Sequence, residues 1–540
     1  MSAAMDNLLK MFKTARETAG ESSGTAPSAA DVEALPVHFA VLIAEDDDPR
    51  SKRTSLASPK LTMTSQNSHL QRHQNDHDRE VFLIATPAMG MLTPAVEFAR
   101  HLVRRFPGRL SATVLLISVP HWPTIHSYTQ SLLATSSPNL NFVLLPTMDP
   151  PSPDHFNSYV AHTFALIDQH KSHVKNAIAE SKRRVVGLFV DLFCTSMIDV
   201  ADGLGIPSYI YFASPAGFLS FVLDLPILDS ELASDSVNEF RIRGFANPVP
   251  RRALHATVLD RGDGFFTYMY HSRMYAKTKG IVVNTLRELE TIVLDSLSAS
   301  KVPKVYPVGP ILNLKGSTEW HSDKAQQEKI MKWLDNQPES SVVFLCFGSL
   351  GSLSGPQLEE LALGIERAGF RFLWSCREPP KTKLVPPSEY ANFDEVLPNG
   401  FLERTAGMGL VCGWVPQGMI LAHQAVGGFV SHCGWNSILE SLWHGVPIAT
   451  WPVYAEQHMN AFEVVKELGL AVEISLNYRE GTVLVLAEQV ERGIKRLMEG
   501  DIEVRAKVKD MKAKCRMALM ENGSSHESLG ALVEELLASN

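Results

Sequence analysis

The chain has 540 residues, 45% of them apolar and 20% charged, with a formal net charge of −9. That length accommodates two or three ordinary domains, and the acidic balance gives no electrostatic reason to expect nucleic acid as a partner. No run of about 18 apolar residues occurs, so no membrane insertion is expected.

Residues 1–79 differ in composition from the rest. The first twenty lack the apolar centre of a signal peptide and carry the spacing of a short amphipathic helix at Leu8, Leu9, Met11 and Phe12. The flanking tracts GESSGTAPSAAD and SKRTSLASPKLTMTSQNSHLQRHQNDHDR are polar and aperiodic, which predicts a disordered extension. Between them, PVHFAVLIAEDDDPR could supply one strand, too little for a domain. His69, His73 and His77 fall four apart, but no apolar face would hold them on a helix, so they read as a solvated tract.

From Glu80 onward the pattern alternates. Strands are expected at 81–86, 111–119, 141–145, 185–190, 207–212 and 280–284, with helical spacing between them. Such near-continuous apolar strands predict a parallel sheet covered on both faces. The Pro-punctuated passage KVPKVYPVGPILNLKGSTEWHSDK reads as the interdomain connection, with this first doubly wound, Rossmann-like domain taken as 80–315 and the linker as 316–340. A second series, 341–349, 370–376, 409–414, 427–432 and 447–452, predicts a similar domain over 341–540, its last helix a candidate to pack back on the first. The fold class is therefore α/β, two doubly wound domains facing across a cleft, with ligands at the carboxyl ends of the strands. The six cysteines contain no CxxC pair, which argues against a disulfide framework or a structural zinc site and for a reducing, cytoplasmic setting.

The chemistry concentrates in WVPQGMILAHQAVGGFVSHCGWNSILESLWHGVPIATWPVYAEQ, Trp414 to Gln457. Here GGFVSH ends in CGWNS and feeds a helix. Asn436 and Ser437 are good N-cap residues, and Ser437-x-x-Glu440 has the form of a capping box. The same helix start offers free N–H groups and a positive dipole end to an anion, with Gly434 allowing close approach and His432 at the strand tip. No P-loop is present, and neither first-strand turn supplies the GxGxxG of a dinucleotide-binding oxidoreductase.

This segment is similar to the signature box of plant secondary-product UDP-glycosyltransferases: WVPQ, HCGWNS, E, GVP, WP and EQ all stand in place without a gap. Outside it, FLCFGSLGSLS, LPNGFLERT, VGPILNLKG and GLFVDLFCTSMIDVADGLGIPSYIYFAS resemble the same family, over roughly 80–540. The resemblance implies an inverting transferase of the B-type glycosyltransferase fold. It needs no metal or other cofactor, taking UDP-glucose and a small aromatic or terpenoid-like acceptor. It also implies roles. Trp414 stacks on uracil, while Val415, Pro416 and Gln417 hold base and ribose. Glu440 binds the ribose hydroxyls. Ser349, His432, Gly434, Asn436 and Ser437 meet the phosphates. Trp435, Tyr454, Glu456 and Gln457 lie at the sugar, and the final glutamine goes with glucose. Asp191 matches the aspartate that orients the family's catalytic histidine.

That histidine is expected after Gly90, where PAMGML has Met91 instead. A thioether is essentially non-basic in water, and losing a positioned base typically costs about 10²–10⁴-fold in rate. Three readings follow: an enzyme for acceptors that are already anionic, a UDP-sugar-binding homologue with weak or no catalysis, or a divergent copy. Acceptor identity is expected in the loops around 213–275, where Phe218, Phe221, Phe265, Phe266 and Tyr268 suggest a flat apolar acceptor or plain core packing.

Overall fold

The computed structural model describes residues 79–314, 324–380, 387–479, 483–500 and 502–538. The expectations for residues 1–78 lie outside these. The first sheet comprises β1 (Arg79–Ile84), β2 (Ser111–Leu116), β3 (Leu140–Leu144), β4 (Arg184–Asp191), β5 (Ser208–Phe212), β8 (Gly280–Val283) and β9 (Lys304–Pro307), in the order β3-β2-β1-β4-β5-β8-β9. Every pairing in it is parallel. A two-stranded antiparallel ribbon, β6 (Glu239–Phe240) and β7 (Val249–Pro250), stands apart. The second sheet, also parallel, comprises β10 (Val342–Cys346), β11 (Arg371–Ser375), β12 (Gly409–Cys412), β13 (Val426–Ser431), β14 (Ile448–Thr450) and β15 (Ala471–Glu473), in the order β12-β11-β10-β13-β14-β15.

Strands β2, β5, β10, β13 and β14 are buried along their whole length, as a sheet covered on both faces requires. The short ribbon strands β6 and β7 escape the sequence pattern, and so do two strands of the parallel sheets. β9 falls in the Pro-punctuated passage, and β15 has three residues, too short for a period-2 signal.

Six helices position the site. α1 (Met89–Arg105) follows β1 and buries Leu92, Val96, Phe98, Ala99 and Leu102 on the first sheet. α2 (Ala216–Ala233) follows β5. α3 (Lys324–Asp335) lies inside the stretch expected to be a linker; Ile330 and Leu334, one turn apart, bury against the second domain's core beside Leu286 and Leu289 of the first. α4 (Trp435–His444) follows β13, and α5 (Gln457–Phe462) follows β14. The last helix, α6 (Ser524–Ala538), lies on the first sheet, with Leu529, Leu532, Val533 and Leu536 in its core. Tyr209 and Tyr306 both donate to Glu535 on that helix.

Candidate active site

In each sheet the strand order reverses once, between β1 and β4 in the first and between β10 and β13 in the second. Loops diverge at such a point and leave a crevice beyond the strands' carboxyl ends. Met91 follows β1 and Asp191 ends β4; Ser349 follows β10, exposed, and His432 follows β13. Both switch points thus carry residues singled out from sequence.

On the second domain the start of α4 is the centre. Its N-cap is Gly434, and no side chain caps it. The expected Asn436/Ser437 cap and Ser437–Glu440 capping box do not form, because both serine and glutamate lie inside the helix and turn to Gln417. The Gln417 amide donates to Ser437 Oγ at 2.8 Å and to Glu440 Oε2 at 2.7 Å. Gln417 therefore orients Glu440, the half-buried carboxylate implied for ribose. Burial pushes the Glu440 carboxyl up to about 7, with the Gln417 hydrogen bond pulling the other way.

His432 is wedged between two glycines. A Cβ at Gly348 or at Gly434 would lie 2.5 Å from its Nε2, so the imidazole occupies this place only because both neighbours lack side chains. Burial holds its pKa down to about 4, with the Cys346 carbonyl, as hydrogen-bond acceptor, opposing. At neutral pH the ring is uncharged and offers an anion a hydrogen bond rather than a cation.

The indole of Trp414 is half-buried, and its backbone is held from two sides. Gln326 of α3 donates to its carbonyl at 2.7 Å, and its N–H donates to Glu389 at 3.1 Å. Val415 is buried, and Pro416 caps the short turn that presents Gln417.

The sugar end is built largely across the domain boundary. The Trp435 side chain is 2% exposed, and its Nε1 donates to the Asn284 carbonyl at 2.7 Å. Its indole N–H is thereby committed to the first domain, which leaves the Trp435 backbone N–H at the helix start. The Asn284 side chain in turn clamps both N–H and C=O of Ile311 at the domain link. Ser214, just after β5, donates to Glu456 Oε1 at 3.0 Å. Gln457 Oε1 accepts from the backbone of Val453 and Tyr454, both at 3.0 Å, which fixes the loop carrying Tyr454 and Glu456.

Asn436 also crosses the cleft. Its Nδ2 donates to the Gly90 carbonyl at 2.9 Å, directly before Met91. The reason lies in α1. Gly90 O would accept from the N–H four residues on, but that residue is Pro94, which has none. The carbonyl is orphaned by the sequence of its own helix and taken by the other domain.

On the side proposed for the acceptor, no imidazole among the described residues is hydrogen-bonded to Asp191. This aspartate is 1% exposed, and its oxygens accept from the backbone of Thr86 at 2.6 Å and of Phe193 and Cys194, both at 2.9 Å. Burial raises its pKa, and these donors oppose the rise. Asp191 pins the β1–α1 turn to the turn after β4. Met91 is half-buried and packs on the first core. Phe218, Phe221, Phe265, Phe266 and Tyr268, read from sequence as either acceptor lining or core, are all buried, and ring pairs such as Phe265–Phe266 at 5.5 Å show them packing on one another. They belong to the core.

Ser214, Asn284 and the Gly90 carbonyl were not singled out from sequence. A serine, an asparagine and a backbone oxygen carry no motif of their own; only contacts across the domain boundary reveal them. The proline four residues after Gly90 was the one legible signal.

This arrangement has counterparts. The family described as UDP-glucoronosyl and UDP-glucosyl transferase matches residues 265–501. UDP-glycosyltransferase 43 of Pueraria montana var. lobata is 53% identical over 468 residues, covering 85% of this chain and 99% of that protein. UDP-glucose flavonoid 3-O-glucosyltransferase 6 of Fragaria ananassa is 45% identical over 482 residues, with 85% and 99% covered. Among solved structures, Medicago truncatula UGT71G1 complexed with UDP-glucose is similar, with a TM-score of 0.78, 42% identity, and 85% of this chain and 99% of that one covered. The two facing parallel domains are the B-type glycosyltransferase fold, and the chain belongs to the plant UDP-glycosyltransferase family.

Proposed function

We propose that the chain transfers glucose from UDP-glucose to a carboxyl or an acidic hydroxyl of a small lipophilic plant metabolite, with inversion. One observation carries this reading: the uncapped start of α4 lies against the β1–α1 turn, tied to it by Asn436 and the Gly90 carbonyl, and the side chain after Gly90 is Met91. The relatives that bear glucose in their names or crystals support the choice of sugar.

In this reading uracil stacks on Trp414, and Glu440, held by Gln417, accepts from the ribose hydroxyls. The diphosphate lies against the uncapped N–H groups of α4, with His432, Asn436, Ser437 and Ser349 around it. Preorganised donors of this kind meet the charge that develops on the leaving group, so the proposal includes no metal ion. Glu456, Gln457 and the backbone of Trp435 hold the sugar, and Tyr454 lines the loop between them. An acceptor oxygen attacks the anomeric carbon as the bond to the β-phosphate breaks, and UDP leaves with the electron pair. An anionic acceptor brings no proton to remove, so the step needs no base at position 91.

A second reading, a UDP-sugar binder with weak catalysis, draws on Asp191. Its oxygens are engaged by backbone donors rather than directed to an imidazole. One experiment decides. Turnover of a benzoate and of an aliphatic alcohol is measured by mass spectrometry in the native chain and in Met91→His. The expected result is benzoate turnover by the native chain and a gain of about 10²–10⁴-fold on the alcohol alone in the variant. Equal gains on both acceptors defeat base-independence. UDP uptake with no turnover of either acceptor establishes the binder.

A further inference from the structure

We infer that Ser214 is a positioning residue for Glu456: the first domain's hydroxyl sets the orientation of the second domain's sugar-reading carboxylate, so the sugar subsite is complete only when the domains are together. The inference rests on the donor reading above and deepens it.

The geometry is local. Ser214 is 1% exposed and donates to Glu456 Oε1 at 3.0 Å. The neighbouring Gln457 is oriented from within its own loop, through Val453 and Tyr454. Glu456 is held by its own backbone and, in addition, by Ser214 from the other domain. Pro215, the next residue, is the N-cap of α2, so the hydroxyl sits at the positive end of an 18-residue helix.

Three carboxyl groups gather at that helix start. Glu290 accepts from the N–H groups of Ala216 at 3.0 Å and Gly217 at 2.7 Å. Glu463, from the second domain, comes so close that a Cβ on Gly217 would lie 2.7 Å from its Oε2. With Glu290 occupying the first two N–H groups, the Ser214 hydroxyl is what the helix start presents to Glu456. Burial raises the Glu456 carboxyl's pKa; its own backbone N–H and then the Ser214 hydroxyl act against that rise, favouring the ionised form that accepts from sugar hydroxyls.

The test separates sugar from nucleotide. Calorimetric affinities for UDP-glucose and for UDP are measured in the native chain, Ser214→Ala and Ser214→Thr. A charge-assisted hydrogen bond predicts UDP-glucose binding weaker by about tenfold in Ser214→Ala, UDP binding unchanged, and recovery in Ser214→Thr. On a Glu456→Gln background, Ser214→Ala should add little, because its partner is already altered. If Ser214→Ala weakens UDP and UDP-glucose alike, or neither, the inference is overturned while the donor reading stands. A native chain that takes up neither ligand overturns both.

Discussion

Glu440 shows how a single side chain is set by its surroundings. Its carboxyl is held up near 7 by burial, and Gln417 holds it in place. Above that pH it is a carboxylate, able to accept from the two ribose hydroxyls of the proposed donor; below it, protonation removes acceptor capacity. UDP affinity is therefore expected to fall as the pH drops from about 8 to about 6. A Glu440→Gln variant should bind more weakly at pH 8 and lose most of that slope. Titration calorimetry of both proteins across the range checks this, and parallel slopes would refute it. Sequence singled out Glu440 as a candidate site residue, because it stands at a fixed place in a gapless segment. The role of Gln417 as its holder was not legible. Twenty-three residues and a strand separate the two, and only the packing of α4 on the preceding turn brings them together.

At the scale of elements, the junction of α2, α5 and the π-helical turn Glu463–Glu467 places acid against acid. Glu290 and Glu463 are 2% and 1% exposed. Burial raises both pKa values; for Glu463 the neighbouring Glu290 and Glu467 raise it further. The sign follows from proton linkage. A carboxyl whose pKa is raised on folding leaves the native state holding more protons than the unfolded chain. Stability is then lost as pH climbs from the unfolded value, 4.5, through the folded one. Glu463→Gln, uncharged at every pH, is expected to raise the melting temperature at pH 8 and to change it little at pH 5. Calorimetric melting at the two pH values checks this, and an equal shift at both would show that the carboxyl enters ionised. The elements themselves were largely readable. β2, β5, β10 and β13 are apolar runs of five or six residues with turn residues after them. α3 was missed because its polar, lysine- and glutamine-rich sequence resembles a linker until Ile330 and Leu334 find a core.

At the scale of the whole molecule, the two domains are tied around the proposed sugar subsite by Asn436 to Gly90, Trp435 to Asn284 and Ser214 to Glu456. The first tie depends on Pro94. Replacing it gives Gly90 O a partner inside α1, so Asn436 can turn to a phosphate without leaving a carbonyl unpaired. Pro94→Ala is expected to tighten UDP binding by about two- to fivefold and to raise the melting temperature, both measurable on one purified variant. Weaker UDP binding would mean that the tie assists the site rather than competing with it. The sequence by itself determined the alternation of strands and helices, the two parallel sheets, the strand-tip location of the site and the absence of an imidazole at position 91. Each of these is written in local period or in a contiguous motif. Tertiary structure alone decided that Trp435 faces Asn284, that Asp191 accepts from the backbone of Thr86, Phe193 and Cys194, that five aromatic side chains belong to the core and that Ser214 reaches Glu456. Those outcomes depend on contacts between residues far apart in the chain, and side chains compete for such partners only after the sheets have packed.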